Sequence, residues 1–161
     1  MKTIWAPWRM DYILGPKEKE CIFCVKPRED DDKKNLIIYR GKYNYVILNL
    51  YPYNNGHLMV VPYRHTSDIQ GIGADDADEM MSLTRRCVGA LKGAFKAQGF
   101  NIGMNLEAAS GAGIDEHIHM HVVPRWRGDT NFMPVIGETR VIPQHIQTTY
   151  EALAEHFTSD G

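Results

Sequence analysis

The sequence lacks a long apolar segment, lacks an excess of charge of either sign and contains only three cysteines. None of its apolar runs approaches the ~20 residues that a membrane-spanning helix requires. Arg9 and Asp11 interrupt the N-terminal segment where a signal peptide would be apolar. We therefore expect a cytoplasmic protein without a membrane partner. The formal net charge of −2 at pH 7 argues against a broad nucleic-acid-binding surface, which usually shows a basic excess.

The few cysteines are informative because of where they lie. Disulfides are uncommon in the reducing cytoplasm, so the pair Cys21-x-x-Cys24 indicates a metal or redox site rather than a structural bridge. Cys87 stands alone within a helical pattern, where a small core residue is the simplest interpretation.

The composition that is present is typical of one globular domain. With 161 residues, 43% of them hydrophobic and 24% charged, the chain can form a core as a single domain. The apolar patterns predict an α+β fold, in which an antiparallel sheet is accompanied by one long helix and a C-terminal helix. Strands are predicted at 36–40, 43–50, 57–62, 101–106 and 117–123, the last ended by Pro124, and helices at 75–98, ended by Gly99, and at 144–157.

The most informative segment is His117-Ile118-His119-Met120-His121-Val122-Val123. Side chains alternate between the two faces of a β-strand, so an extended strand puts the three imidazoles on one side and the apolar residues on the other. Three unpaired imidazoles would be costly to bury, whereas imidazole works near neutral pH as nucleophile, proton carrier or metal ligand. We therefore expect the chemistry of the protein on this strand.

Two kinds of chemistry fit the three histidines. The first is a catalytic zinc site, because His-x-His on one strand can supply two metal ligands. The second is nucleophilic catalysis at phosphorus, in which one imidazole attacks and its neighbours orient it. The loop Ser110-Gly111-Ala112-Gly113 lies just upstream, and backbone N–H groups of such a loop can bind a phosphate, although a plain flexible turn has the same composition.

The histidine segment resembles the H-x-H-x-H signature of the histidine-triad (HIT) family of nucleotide hydrolases and transferases. The resemblance covers roughly residues 20 to 125, and the flanking segments 5–9 and 123–133 resemble a bacterial branch that includes diadenosine tetraphosphate phosphorylases. It implies a single HIT domain over residues 1–161. The parts of this domain would be an N-terminal arm (1–20), a HIT core (21–125) and a C-terminal extension with a helix (126–161).

The resemblance also implies roles for individual residues. His119 matches the family nucleophile, which attacks the α-phosphorus of a nucleotide and forms a nucleotidyl-imidazole intermediate. His121 matches the residue that contacts the phosphate and the leaving group. Substrate-binding positions correspond to Asn49 at the ribose, Asn105 on the phosphate side, His57 as a partner of the catalytic groups or of a strand end, and the loop residues Ser110, Gly111, Ala112 and Gly113.

One position departs from the family pattern. Many family members carry Gln or Ser at the position of Gly113. Backbone N–H groups, Ser110 or a bound inorganic phosphate would have to replace that polar side chain here.

The first histidine of the triad is implied to have a structural role. Related proteins with an N-terminal Cys-x-x-Cys bind zinc through two cysteines, a further histidine and the first triad histidine. The corresponding residues are Cys21, Cys24, His65 and His117. Two thiolates and two imidazoles complete a tetrahedral shell without an open position, so such a zinc would be structural. No organic cofactor is implied.

The predicted activity is cleavage of a nucleoside polyphosphate, in particular diadenosine tetraphosphate, by a homodimer built on a shared sheet. Water or inorganic phosphate would accept the nucleotidyl group, and the sequence does not decide between them. Two alternatives stay open on the same fold: a phosphoramidate or nucleotidyl-amino-acid hydrolase, and a nucleotide-binding signalling protein with low turnover.

Overall fold

A five-stranded antiparallel sheet forms the centre of the computed structural model, which describes residues 20–129 and 144–158. The strands follow one another in the spatial order β1-β2-β3-β5-β4. The sheet and its accompanying helices confirm the predicted α+β class. The strands are β1 (Ile37–Arg40), β2 (Asn44–Leu48), β3 (Leu58–Pro62), β4 (Gly99–Gly103) and β5 (Met120–Arg125).

Four α-helices accompany the sheet within the described residues. They are α1 (Ile22–Val25), α2 (Asp32–Asn35), α3 (Ala74–Phe95) and α4 (Ile146–Thr158), with single 3-10 turns at Lys26–Arg28 and Ala108–Ser110. The apolar face of α3 packs against β2, β3 and β5, and α4 packs against α3 and β1. Because β2 and β3 are central strands, all their residues are buried and their sequences are nearly continuous apolar runs.

The long helix ends earlier than the sequence predicted. Lys96 follows Phe95 in the left-handed conformation, with φ of 54°, and its N–H bonds to the carbonyls of Leu91 and Lys92. The chain reversal needs one left-handed residue, and Lys96 supplies it. Gly99, predicted to stop the helix, instead begins β4, which ends at Gly103 rather than at residue 106.

The histidine strand was also predicted with the wrong limits. β5 begins at Met120, so His117 and His119 precede it. The N–H of Ile118, between these two histidines, donates to Thr66 O at 2.8 Å and holds the segment in place. β5 then continues through Pro124, which pairs with Phe100 of β4. Pairing between β3 and β5 has already ended at Val122, so a proline without an N–H is tolerated on that open side.

The remaining predictions of organisation have mixed outcomes. The C-terminal helix is confirmed within two residues of its predicted limits. The short helices α1 and α2 were not predicted. Residues 1–19 of the predicted N-terminal arm and residues 130–143 of the predicted extension lie outside the described residues, and the single domain over 1–161 stays a prediction. Within the described part of the chain, no helix combines the length and apolar character needed to span a membrane.

Candidate active site

The backbone fixes the tautomer of His117. Its Nε2 lies 2.8 Å from the carbonyl oxygen of Pro62, at the end of β3. A carbonyl can only accept, so Nε2 carries the proton and Nδ1 holds the lone pair. This lone pair faces Cys21 Sγ at 3.4 Å and His65 Nδ1 at 3.3 Å. His117 is therefore oriented as a metal ligand and away from the other two histidines of the triad.

A second backbone carbonyl fixes the tautomer of His119. Its Nδ1 lies 2.8 Å from the carbonyl oxygen of His117, so Nδ1 is the protonated nitrogen and Nε2 holds the lone pair. Burial lowers the pKa of His119 below its usual range, although the bond to the carbonyl acts in the opposite direction. His119 thus offers a neutral imidazole with a fixed nucleophilic nitrogen.

A chain of hydrogen bonds gives His121 the tautomer opposite to that of His119. The backbone N–H of Tyr53 donates to His57 Nδ1 at 3.1 Å, and Asn49 Nδ2 lies 3.3 Å from the same atom. His57 Nδ1 is therefore an acceptor, and His57 Nε2–H donates to His121 Nδ1 at 2.9 Å. The remaining proton of neutral His121 must then lie on Nε2. That atom is buried and has no hydrogen-bond partner within the described residues.

The turn before β3 places His57 in this chain of hydrogen bonds. Gly56 has a φ of +76°, a conformation that favours glycine, and the His57 N–H closes the turn on Asn54 O at 3.2 Å. A Cβ at Gly56 would lie 2.9 Å from a methyl group of Leu91 in α3. The turn therefore packs directly on the long helix, and His57 enters the core completely buried.

The three histidines of the triad share a low-polarity environment. Burial lowers the pKa of His117 and that of His121 to about 4 each, with neighbouring histidines contributing. The rings of His119 and His121 are 4.7 Å apart and nearly perpendicular. The site thus combines a lone pair on His119 with an N–H donor on His121, both on neutral rings at neutral pH.

Cys21, Cys24, His65 and His117 form one cluster, as predicted. Their four candidate ligand atoms all lie within 4.8 Å of one another. Tetrahedral zinc, with bonds of about 2.0–2.3 Å, separates its ligand atoms by roughly 3.3–3.8 Å, and Cys24 Sγ lies 3.4 Å from His65 Nδ1 and 3.6 Å from His117 Nδ1. Burial, reinforced by Cys24, raises the pKa of the Cys21 thiol to about 11. Such thiols become thiolates beside a cation, so the donor set fits a metal ion.

Sequence reasoning missed two aromatic residues beside the histidines. Phe23 lies between the two cysteines, and its ring is 5.5 Å from that of His117 and 4.9 Å from that of His119. The buried Tyr45 hydroxyl donates to Phe23 O at 2.8 Å and holds α1 in place. Tyr53, in the loop before β3, packs on His57 and His121. The position of Phe23 inside Cys-x-x-Cys was the only signal for it, and Tyr53 had none.

The structure brings some of the predicted substrate residues to the histidines. Asn49 lies opposite His57, and its N–H donates to His57 O at 2.9 Å. Asn105 is half-buried and follows β4, whose last residue, Gly103, pairs with His121.

The predicted phosphate loop is not held as closely. Ser110, Gly111 and Gly113 are exposed and Ala112 is half-buried. The Ser110 hydroxyl donates to Glu107 O at 2.7 Å. The loop therefore lies mostly at the surface of the protein.

These features belong to a known class of enzyme. The HIT domain family model matches residues 30–128. The chain therefore belongs to the HIT family and is a nucleotide-processing enzyme of that family.

Similar proteins are known by sequence and by structure. The chain is 39% identical over 162 residues to AP-4-A phosphorylase of Mycobacterium tuberculosis, covering 96% of this chain and 83% of that protein. It is 30% identical over 95 residues to a bis(5'-adenosyl)-triphosphatase of Saccharomyces cerevisiae, covering 56% of this chain and 44% of the yeast protein. A crystal structure of a Zn-bound histidine triad family protein from Mycobacterium smegmatis superposes with a TM-score of 0.70 at 27% identity, covering 86% of this chain and 94% of that one.

Proposed function

We propose that this protein cleaves diadenosine tetraphosphate at an α-phosphorus, with His119 as nucleophile and inorganic phosphate as acceptor. The observation that carries the catalytic roles is the opposite polarity of the two neighbouring imidazoles, whereas the choice of phosphate as acceptor rests on the similarity to AP-4-A phosphorylase. His119 presents a lone pair at Nε2 because its Nδ1–H is bonded to a carbonyl, and His121 presents an Nε2–H because its Nδ1 accepts from His57. Transfer of a nucleotidyl group through an imidazole needs one of each.

In the first step, the lone pair of His119 Nε2 attacks the α-phosphorus, and the bond between phosphorus and the leaving oxygen breaks. The His121 Nε2 proton moves to that oxygen. The positive charge that develops on the His119 ring is stabilised by the His117 carbonyl oxygen, 2.8 Å from Nδ1. In the second step, the acceptor gives a proton to His121 Nε2, its oxygen attacks phosphorus, and the bond to His119 breaks.

The substrate-binding roles remain those that the family resemblance implies. Asn49 would bind ribose, which fits its location at the end of β2 beside His57. Asn105 and the loop Ser110, Gly111, Ala112 and Gly113 would bind the phosphates. Gly111 has a φ of +79°, a conformation that helps consecutive backbone N–H groups point towards an anion.

The cluster of Cys21, Cys24, His65 and His117 would bind a structural zinc ion. A closed shell of two sulfur and two nitrogen ligands supplies folding free energy rather than a water nucleophile. Such an ion would link the two cysteines at α1 to His117, whose carbonyl oxygen orients His119.

A homodimer and a cytoplasmic location are further parts of the proposal. β4 is an edge strand of the sheet within the described residues, and Ile102 on it is 46% exposed. A cavity of about 200 Å³ lined by Ile69, Met81 and Met104, among others, opens near the end of this strand. Pairing of β4 with β4 of a second copy would satisfy the edge and cover these apolar side chains.

The decisive experiment is incubation with diadenosine tetraphosphate, with and without inorganic phosphate, followed by chromatographic analysis of the products. ADP plus ATP, formed only with phosphate, is the expected result. Formation of AMP plus ATP without phosphate would show that water is the acceptor and that the reaction is hydrolysis rather than phosphorolysis. No cleavage in either condition, by protein shown to be folded, would overturn the proposal.

The nucleophile is tested separately. His119→Ala is expected to lower kcat by on the order of 10³-fold or more, because nothing else in the site can form the covalent intermediate. Quenching turnover of a radiolabelled substrate with denaturant at alkaline pH, where the bond from phosphorus to imidazole survives, should trap label on His119 of the wild-type protein. Full activity of His119→Ala would refute the assignment.

A further inference from the structure

Tyr53 holds the His57–His121 pair by two independent contacts. Its backbone N–H donates to His57 Nδ1 at 3.1 Å. Its ring lies 4.7 Å from the ring of His57 and 5.7 Å from that of His121, tilted by 39° and 32°. No other aromatic side chain among the described residues contacts both of these histidines.

The ring contact supplies a restraint that the hydrogen bond alone lacks. The bond from His57 holds one atom of His121, its Nδ1, at the edge of the ring. The ring of His119 limits motion of the imidazole on one side, at 4.7 Å and 75°. The Tyr53 ring, at 5.7 Å and 32°, supplies a second boundary. His121 is thereby confined to the orientation that keeps Nε2 turned towards the site.

We propose that Tyr53 is a positioning residue for proton donation by His121. The inference rests on the proposed function, in which the His121 Nε2 proton moves to the leaving oxygen as the phosphorus–oxygen bond breaks and the bond from phosphorus to His119 Nε2 forms. Tyr53 does not touch the reacting atoms. It acts through the direction of the His121 Nε2–H, and proton transfer depends strongly on that geometry.

The choice of substitution separates the ring from the rest of the residue. Tyr53→Leu keeps the backbone N–H that fixes the His57 tautomer but removes the aromatic ring. Tyr53→Phe keeps the ring and removes the hydroxyl, so it is expected to retain the wild-type behaviour that Tyr53→Leu loses. Tyr51→Leu is the matched control, because Tyr51 lies in the same loop with its side chain 57% exposed, and its backbone N–H bonds to Asn49 Oδ1.

Two aryl esters of adenosine monophosphate provide the kinetic test. A p-nitrophenolate ion leaves without a proton, whereas the more basic phenolate ion of the phenyl ester depends on proton donation. We expect Tyr53→Leu to lower kcat/KM for the phenyl ester by about tenfold or more, part of the 10²–10⁴-fold that a general acid supplies. The ratio kcat/KM reports only the steps up to departure of the leaving group, so its value for the p-nitrophenyl ester should stay within about twofold.

A spectroscopic measurement tests the same point without turnover. Nitrogen-15 NMR of the imidazoles in wild-type protein should show His57 and His121 each protonated at Nε2. In Tyr53→Leu, the His121 signals should broaden because the imidazole samples more than one orientation, while Tyr53→Phe and Tyr51→Leu match the wild type.

The outcomes distinguish this inference from the proposed function. Equal losses of kcat/KM for the two esters, an unchanged kcat/KM for the phenyl ester, or a loss in Tyr53→Phe as large as in Tyr53→Leu would overturn the role of the ring. If wild-type protein cleaves neither ester nor diadenosine tetraphosphate, the proposed function fails, and the line widths of the His121 signals alone decide whether Tyr53 orients His121.

Discussion

The carboxylate of Glu79 provides a stringent test of how the fold holds its first hairpin. From α3, Glu79 reaches the turn between β1 and β2, where Oε1 accepts from Lys42 N and Oε2 accepts from Tyr43 N and Asn44 N, each at 2.7 Å. The Asn44 side-chain amide adds a fourth bond at 3.0 Å. The perturbation is Glu79→Ala, which leaves three backbone donors and one amide without their acceptor.

The magnitude follows from these four bonds. A hydrogen bond to a charged group contributes about 1.5–3 kcal/mol, so simple addition of four would give about 6–12 kcal/mol. Glu79 is only partly buried, and water can bind some of the abandoned donors. We therefore expect the free energy of unfolding to fall by about 3 kcal/mol. For a domain of this size, each kcal/mol corresponds to about 2–4 °C, so Tm should fall by roughly 6–12 °C.

The pH dependence of this stabilisation has a defined sign. Burial alone would raise the pKa of Glu79, but the hydrogen bonds from the Asn44 side chain and from the three backbone groups outweigh it and lower the pKa. A folded-state pKa below the unfolded value means that the ionised carboxylate stabilises the fold. The contribution is complete above the unfolded pKa of about 4.3 and is lost as the pH falls through the folded-state value.

Urea unfolding followed by circular dichroism at pH 7 and at several values below pH 5 measures both effects. Asp78→Asn is the matched control, since Asp78 is an exposed neighbouring carboxylate on α3. Gly41→Ala tests the same turn from the other side, because a Cβ there would lie 2.7 Å from Asn44 O and 2.8 Å from Glu79 Oε1. A loss below about 1 kcal/mol in Glu79→Ala, or a difference from wild type that does not shrink in acid, would refute the reasoning.

Two further predictions concern the metal site and the assembly. Purified protein should contain about one zinc ion per chain, and a chelator should lower its Tm by at least about 5 °C, which is the stabilisation expected from a ligand present at 100 times its Kd. A chelator should not change the Tm of Cys24→Ser. An unchanged Tm of the wild type after chelation would contradict the site. Wild-type protein should sediment as a dimer and Ile102→Lys as a monomer, because Ile102 lies on the open edge strand β4; a monomeric wild type would contradict the shared sheet.

The fold was predictable where a local pattern fixed the structure, and less so where tertiary contacts decided. Apolar runs identified β2 and β3 as buried strands, and helical periodicity identified α3. The end of α3 could not be placed, because either Lys96 or Gly99 could have taken the left-handed conformation. The true start of β5 depends on where β3 and β4 offer partners, which the order of residues does not reveal.

The sequence by itself determined which side chains are available for chemistry, and it predicted that they act from the histidine segment. Alternation predicted that the three imidazoles share a face, and the resemblance implied that His117 differs from His119 and His121. Those inferences needed only residue types and spacing, since both act locally.

Only the tertiary structure decided what each imidazole can do. A neutral histidine carries its proton on the nitrogen that faces an acceptor, or on the other nitrogen when its partner is a donor. Those partners are the Pro62 carbonyl for His117, the His117 carbonyl for His119, and His57 for His121. Two of these three partners lie more than fifty positions away along the chain. Folding brings them to within 3 Å of the rings, and so gives three identical side chains different protonated nitrogens and different neighbours, on which the proposed roles of metal ligand, nucleophile and proton donor rest.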